Sequence, residues 1–185
     1  MHASIADVIA DTAQNSIEAG ATRIKVTMKE SGATLAVTIS DNGKGMDAEV
    51  QKRVFDPFYT EAGKHDKRKV GLGLPILKQI CEECEGGLEL HSVKGEGTTL
   101  CYHFNAKHID LPPIGDIASM VVTLFNYPGE FELEWTHQRN DAEYTIARSE
   151  LIDAVGSLET IDGIALAREF LNGQEEALKD DDIGN

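Results

Sequence analysis

Three cysteines, five prolines, one tryptophan and an aromatic share of 6% in 185 residues set the first limits on this chain. An odd number of cysteines, with no cationic start and apolar run in residues 1–20, argues against a secreted disulfide scaffold. Basic side chains are scarce: 17 lysines and arginines stand against 32 acids, a net charge of −15. Such a surface repels the phosphates of nucleic acid and anionic lipid, so neither is expected as a partner. No stretch approaches the roughly 18 consecutive apolar residues of a membrane span, and a cytoplasmic location is expected. What is plentiful is aliphatic: 41% of the chain is hydrophobic, enough for a folded core. The length suits one domain plus an extension.

Local patterning supplies the elements. Ser4 followed by Asp7 has the spacing of a helix start, and Ile5, Val8, Ile9, Thr12 and Ile17 recur at helical intervals until Gly20. On this helix Asp7, Asp11 and Asn15 stand at i, i+4 and i+8, on one stripe. Residues 22–29 and 33–40 alternate apolar and polar around Ser31 and Gly32, a hairpin. The glycine turn DNGKGM (41–46) follows, then a short helix over 47–54. Residues 61–70 (EAGKHDKRKV) are basic in an acidic chain and read as a loop. Ile76, Leu77, Ile80, Cys81 and Cys84 share a helical face that Gly86 and Gly87 end, and strands over 88–93 and 98–104 flank the turn KGEG. These elements make an α+β two-layer sandwich, its sheet mostly antiparallel with helices on one face.

Pro112 and Pro113 mark a break, which gives units of 1–109 and 110–185. Beyond it Ile114, Ile117, Met120, Val121, Leu124 and Phe125 form a helical stripe. Phe131, Leu133 and Trp135 alternate with glutamates, and Tyr144 and Ile146 continue the habit after QRND. Helices from Ser149 and over 161–171 complete an αββαα extension, and the acidic end EEALKDDDIGN reads as a frayed, solvated tail.

Four segments fall in order: DTAQNSIEAGAT (11–22), DNGKGM (41–46), FDPFYT through GLGL (55–74) and GEGTT (95–99). Any one is a weak signal, since DNGKG is also a common turn and a glycine pair before a helix a common cap. Together they resemble the ATP-binding domain of the gyrase, chaperone, histidine kinase and MutL superfamily, over residues 4–105. PFYT and GLGLPILKQI look like sensor histidine kinases, and SIEAGAT with DNGKGM looks like MutL. The resemblance implies a Bergerat-type ATP-binding sandwich with ATP and Mg²⁺ as cofactors. Asn15 would ligate Mg²⁺, for which a carboxamide oxygen is a suitable hard donor, and Asp11, one turn earlier, would be the catalytic base. Asp41 would accept from the exocyclic amine of adenine, with Gly43, Gly45 and Met46 allowing the base to approach. Phe58 would anchor a phosphate-covering segment carrying Lys64, Lys67, Arg68 and Lys69. Gly71, Leu72, Gly73 and Leu74 would offer backbone N–H groups at a helix start, and Thr98 or Thr99 would reach the nucleotide.

The sequence also departs from the superfamily pattern. Asp11 is one methylene shorter than the glutamate of the ATPase branches. The chain opens close to the Asn motif, so no upstream dimerisation helices are expected, and none of His2, His65, His91, His103, His108 and His137 lies in an HE-x-x-x-P phosphoacceptor box. Residues 110–185 are too few for a MutL-type transducer domain. Two readings follow: a kinase-like enzyme or slow ATPase acting in trans on a protein partner, or a non-catalytic ATP-dependent switch working through the extension. A homodimer is compatible with either. Cys81 and Cys84 have zinc half-site spacing, but their place on an apolar helix face favours buried free thiols. The strand of Trp135 is read as an ordinary half-buried hairpin.

Overall fold

In a computed structural model of the chain, which describes residues 4–56 and 73–180, Ser4 caps the first helix as its spacing requires: Oγ accepts from the N–H of Asp7 at 3.2 Å. This helix, α1 (Ile5–Glu18), has two of its other free N–H groups satisfied from far along the chain, Ile5 by the carbonyl of Pro113 and Ala6 by that of Ile114, each at 2.8 Å. The segment after the double proline is therefore stitched to the start of the protein.

The strands are β1 (Arg23–Ser31), β2 (Thr34–Asp41), β3 (Gly87–Val93), β4 (Gly97–Asn105), β5 (Glu132–Arg139) and β6 (Ala142–Ala147). They form one sheet in the order β3-β4-β2-β1-β5-β6. Every pairing is antiparallel except β1 with β5, which run parallel with Val26 beside Trp135. The sheet is thus mixed and mostly antiparallel, as expected, and the second hairpin extends it.

Alternation fixes which face is buried. Ile24, Val26 and Met28 on β1 lie beside Leu35, Val37 and Ile39 on β2, Leu100, Tyr102 and Phe104 on β4, and Leu133 and Trp135 on β5, all under 7% exposed. The opposite face carries Lys25, Thr27, Thr38 and Glu134, with an ion pair between Lys25 and Glu134 at 3.0 Å. Against the apolar face pack α1, α3 (Gly73–Glu83), α5 (Arg148–Val155) and α6 (Ile161–Asp180), while α4 (Ile117–Phe125) is wedged between α1 and α6. The short α2 (Ala48–Arg53) starts at Asp47, whose carboxylate accepts from Val50 N–H. The αββαα order of the extension is present as α4-β5-β6-α5-α6.

Three local outcomes bear on the sequence reading. Cys81 on α3 and Cys84 just past its end are buried free thiols, and burial pushes the Cys81 thiol up to about 12. Among the described residues no cluster of three metal-ligating side chains occurs. The last helix continues nine residues past 171, into the stretch read as frayed as far as Asp180, because Leu178 is buried and Glu175 bonds into the sheet. Among the described residues no helix is long and apolar enough to cross a membrane.

Candidate functional site

The end of β2 delivers Asp41 to the side of the sheet that carries the core, directly beyond Ile39, and the register pairs it with Thr98 on β4. Thr99 pairs with Ser40 on the other face, where their hydroxyls meet at 3.1 Å. Of the two threonines named from sequence, only Thr98 therefore shares a face with Asp41. Its hydroxyl lies 2.8 Å from that of Ser92.

The Asp41 carboxylate is held at both oxygens. Ser16 on α1 donates its hydroxyl to Oδ2 at 2.7 Å, and the N–H of Gly43 donates to Oδ1 at 2.8 Å. Ser16 is 5% exposed, so this link ties the helix layer to the sheet at the strand end. The turn that follows is locked to the same helix: Lys44 N–H donates to the carbonyl of Ala19 at 3.0 Å, and Gly43 sits against the Ala19 methyl. Asn42 ties the turn to β1 by accepting from the N–H groups of Thr22 and Arg23 at 2.9 and 2.8 Å.

Two glycines explain why the segments must be glycine-rich. Gly45 has φ +59°, and a Cβ there would collide with the carbonyl oxygen of Val93. Gly97 has φ +131°, and its Cβ would collide with the carbonyl oxygen of Asp41. The DNGKGM and GEG turns are thus packed backbone on backbone. Gly95 N–H donates to the carbonyl of Lys44 at 2.7 Å, and Met46 N–H to the Ser92 hydroxyl at 2.8 Å.

On α1 the Asp11 carboxylate is half-buried and reaches the start of α3, where a Cβ on Gly73 would overlap its Oδ2. Asn15, one turn on, is exposed, and Leu74 packs at the edge of the core. Beneath them Tyr102 is buried with its hydroxyl 3.3 Å from Thr12 Oγ1, and burial pushes its pKa up. The fold therefore places Asp11 beside Gly73 midway along α1, and Asp41 with Gly43, Gly45, Met46 and Thr98 at the C-terminal end of that helix. Phe58, Lys64, Lys67, Arg68, Lys69, Gly71 and Leu72 lie outside the described residues, as do His2 and His65.

Residues 2–108 match the family described as histidine kinase-, DNA gyrase B-, and HSP90-like ATPases. The chain belongs to this family. Among relatives, Heme sensor protein HssS of Staphylococcus saprophyticus is 36% identical over 104 residues, covering 56% of this chain and 22% of that protein. Sensor histidine kinase YxdK of Bacillus subtilis is 36% identical over 70 residues, 37% of this chain and 22% of that one. The chain thus spans about a fifth of the length of these relatives. A crystal structure of the N-terminal domain of a DNA repair protein superposes with a TM-score of 0.58 at 16% identity, over 87% of this chain and 58% of that one. That likeness is one of fold, and it reaches past residue 108 into the part that adds β5 and β6.

Within this ATPase-family fold the sequence reading missed Ser16, although it follows Asn15 directly. The signal was available, because a polar residue on the buried stripe of an amphipathic helix needs a partner. Asn42 and Ser92, which fix the two turns, were equally unremarked.

A second polar cluster lies away from this end of α1. His137 is 3% exposed, with Nε2 3.0 Å from Glu30 and Nδ1 2.9 Å from Glu175 on α6. Tyr144 donates to the same Glu175 and accepts from Trp135 Nε1 at 2.9 Å. Burial disfavours the imidazolium, but its hydrogen bonds to the Glu175 and Glu30 carboxylates outweigh it and raise the His137 pKa to about 9. This cluster holds α6 to the sheet.

Proposed function

We propose that the chain binds Mg·ATP between α1, the 41–46 turn and the start of α3, and turns it over slowly or transfers its γ-phosphoryl to a partner protein. The observation that carries this reading is the fixed Asp41 carboxylate, aimed from the core side of the sheet and held by Ser16 and Gly43. A carboxylate immobilised at both oxygens can accept from the exocyclic amine of adenine with little ordering cost, and would refuse the carbonyl that guanine presents there. Residues 1–109 would be the nucleotide unit and 110–185 an appended unit that meets a partner.

The donor on α1 suits Mg²⁺. The carboxamide oxygen of Asn15 is a hard ligand that would leave most positions of the ion for water and phosphate, with Asp11 one turn earlier on the same stripe. When bound, the ion would neutralise triphosphate charge. Asp11 would take the proton from the attacking water or acceptor hydroxyl as that oxygen bonds to the γ-phosphorus and ADP leaves. The basic stretch 61–70 would meet the remaining phosphate charge.

Incubation with labelled ATP, with and without candidate acceptor proteins, tests turnover. The wild type should release or transfer phosphate, and Asn15→Ala should reduce either by at least about tenfold, the effect of about 1.4 kcal/mol of lost transition-state stabilisation. No release or transfer by the wild type would defeat the enzymatic reading.

One observation favours a second reading, a non-catalytic ATP-dependent switch. The Asp11 carboxylate already lies against Gly73 at the start of α3, so nucleotide binding would displace that contact and reposition α3. Under this reading ATP changes the protease sensitivity of residues around 61–72 and the affinity for a partner, with no turnover.

A further inference from the structure

We propose that the face formed by α5, α6 and β6 is a docking surface for a basic amphipathic helix of a partner protein. The reading is independent of nucleotide binding, since it rests on residues at the opposite edge of the sheet from β3 and β4.

The first observation is an apolar groove of about 240 Å³, lined by Ile146 of β6, Leu151, Ala154 and Val155 of α5, and Leu166 and Phe170 of α6. Leu166 is 53% exposed and Phe170 45%, and Ile161 at the start of the same helix is 86% exposed. Helix geometry explains how they come to stand there. The buried stripe of α6 runs through Ala167 and Leu171, and Leu166 and Phe170 each precede one of these by a single position, about 100° around the helix. Leu166 and Phe170 are four apart, so they stand one above the other beside the groove. Exposed apolar residues scattered singly need no explanation, but a contiguous set lining a groove marks an interaction surface.

The second observation is charge. Four exposed carboxylates stand on the elements that line the groove or lead into them: Glu150 on α5, Glu159 before α6, and Asp162 and Glu169 on α6. The two arginines of this region are committed elsewhere. Arg148 stacks on Phe131 at 4.6 Å and donates to the carbonyls of Phe125 and Phe131. Arg168 pairs with Asp116 at 3.3 Å.

An apolar slot with a negative rim selects its occupant. A second copy of this chain would bring carboxylates against carboxylates, and an anionic surface would be repelled. A helix carrying aliphatic or aromatic anchors at i and i+3 or i+4, flanked by lysines and arginines, matches both the slot and the rim.

The test uses the full chain and a 14-residue model helix built of leucine and lysine with an amphipathic pattern, alongside a leucine and glutamate version and a leucine and lysine version of scrambled order. The wild type should bind the amphipathic basic peptide saturably at one to one. The double substitution Leu166→Ser with Phe170→Ser should weaken binding at least about tenfold, which corresponds to about 1.4 kcal/mol. The triple substitution Glu159→Gln, Asp162→Asn, Glu169→Gln should weaken it and flatten its salt dependence. These positions are exposed, and a circular-dichroism melt checks that each variant folds. No binding, equal binding by the serine variant, or equal binding of the acidic or scrambled peptide overturns the proposal. A concentration-dependent dimer that Phe170→Ser abolishes overturns it in favour of self-association.

Discussion

Ser16 and Asp41 are 25 residues apart in sequence, yet the Ser16 hydroxyl donates to Oδ2 of Asp41 at 2.7 Å and so connects the helix layer to the end of the central strand β2. Ser16→Ala removes that donor and leaves Gly43 N–H as the carboxylate's remaining link of the two described here. Adenine nucleotide affinity should fall roughly 10- to 150-fold, in line with about 1.5 to 3 kcal/mol for one hydrogen bond to a charged group. Isothermal calorimetry of the wild type and variant measures it, and Ser16→Thr should recover most of the loss.

Gly97→Ala should be far more damaging than its size suggests. The new methyl must occupy the place of the Asp41 carbonyl oxygen at φ +131°, so β4 and the 41–46 turn would separate. A loss of roughly 2 to 4 kcal/mol is expected for such a strained, overpacked position. Urea unfolding checks it. Gly95→Ala, also in the turn but with open space around it at φ +85°, should cost about 1 to 2 kcal/mol from the backbone alone.

The His137 cluster predicts a pH dependence with a definite sign. Its pKa is raised from the ordinary 6.5 to about 9 in the fold, so folding favours the protonated ring. The stabilisation is complete below pH 6.5 and is lost as the pH rises through 9. Melting temperatures measured between pH 6.5 and 9 should fall for the wild type, and this fall should be reduced in His137→Gln.

Much of this architecture could be read from the chain. The helix start at Ser4, the turn at Gly32, the short helix beginning near Asp47 and the stripe of α4 each follow from short-range patterns, where a few neighbouring residues decide the local conformation. What could not be read was long-range. Periodicity shows that Leu133 and Trp135 face a core, but does not say that β5 runs parallel to β1. The end of α6 was misread for the same reason. Glu175 and Leu178 sit in a sequence whose acidity suggests a solvated tail, and their helical state depends on His137 and Tyr144 from a distant hairpin. At the candidate site the motif residues were singled out by the family resemblance, whereas Ser16, Asn42 and Ser92, which hold the turns in place, were not.

Deleting residues 173–185 therefore tests whether that end is structural. It removes Glu175 from buried His137 and Tyr144 and exposes the surface under Leu178. Stability should drop by about 3 to 5 kcal/mol, the usual cost of breaking a buried ion pair. Glu175→Ala alone should reproduce most of the loss in chemical denaturation.

The account rests above all on Asp41 selecting adenine, and calorimetric titration with Mg·ATP and Mg·GTP tests it most directly. The wild type should give a saturable one-to-one heat with ATP and none with GTP, and Asp41→Ala should abolish the ATP signal while remaining folded. Absence of heat with ATP in the wild type, or undiminished affinity in Asp41→Ala, would contradict it.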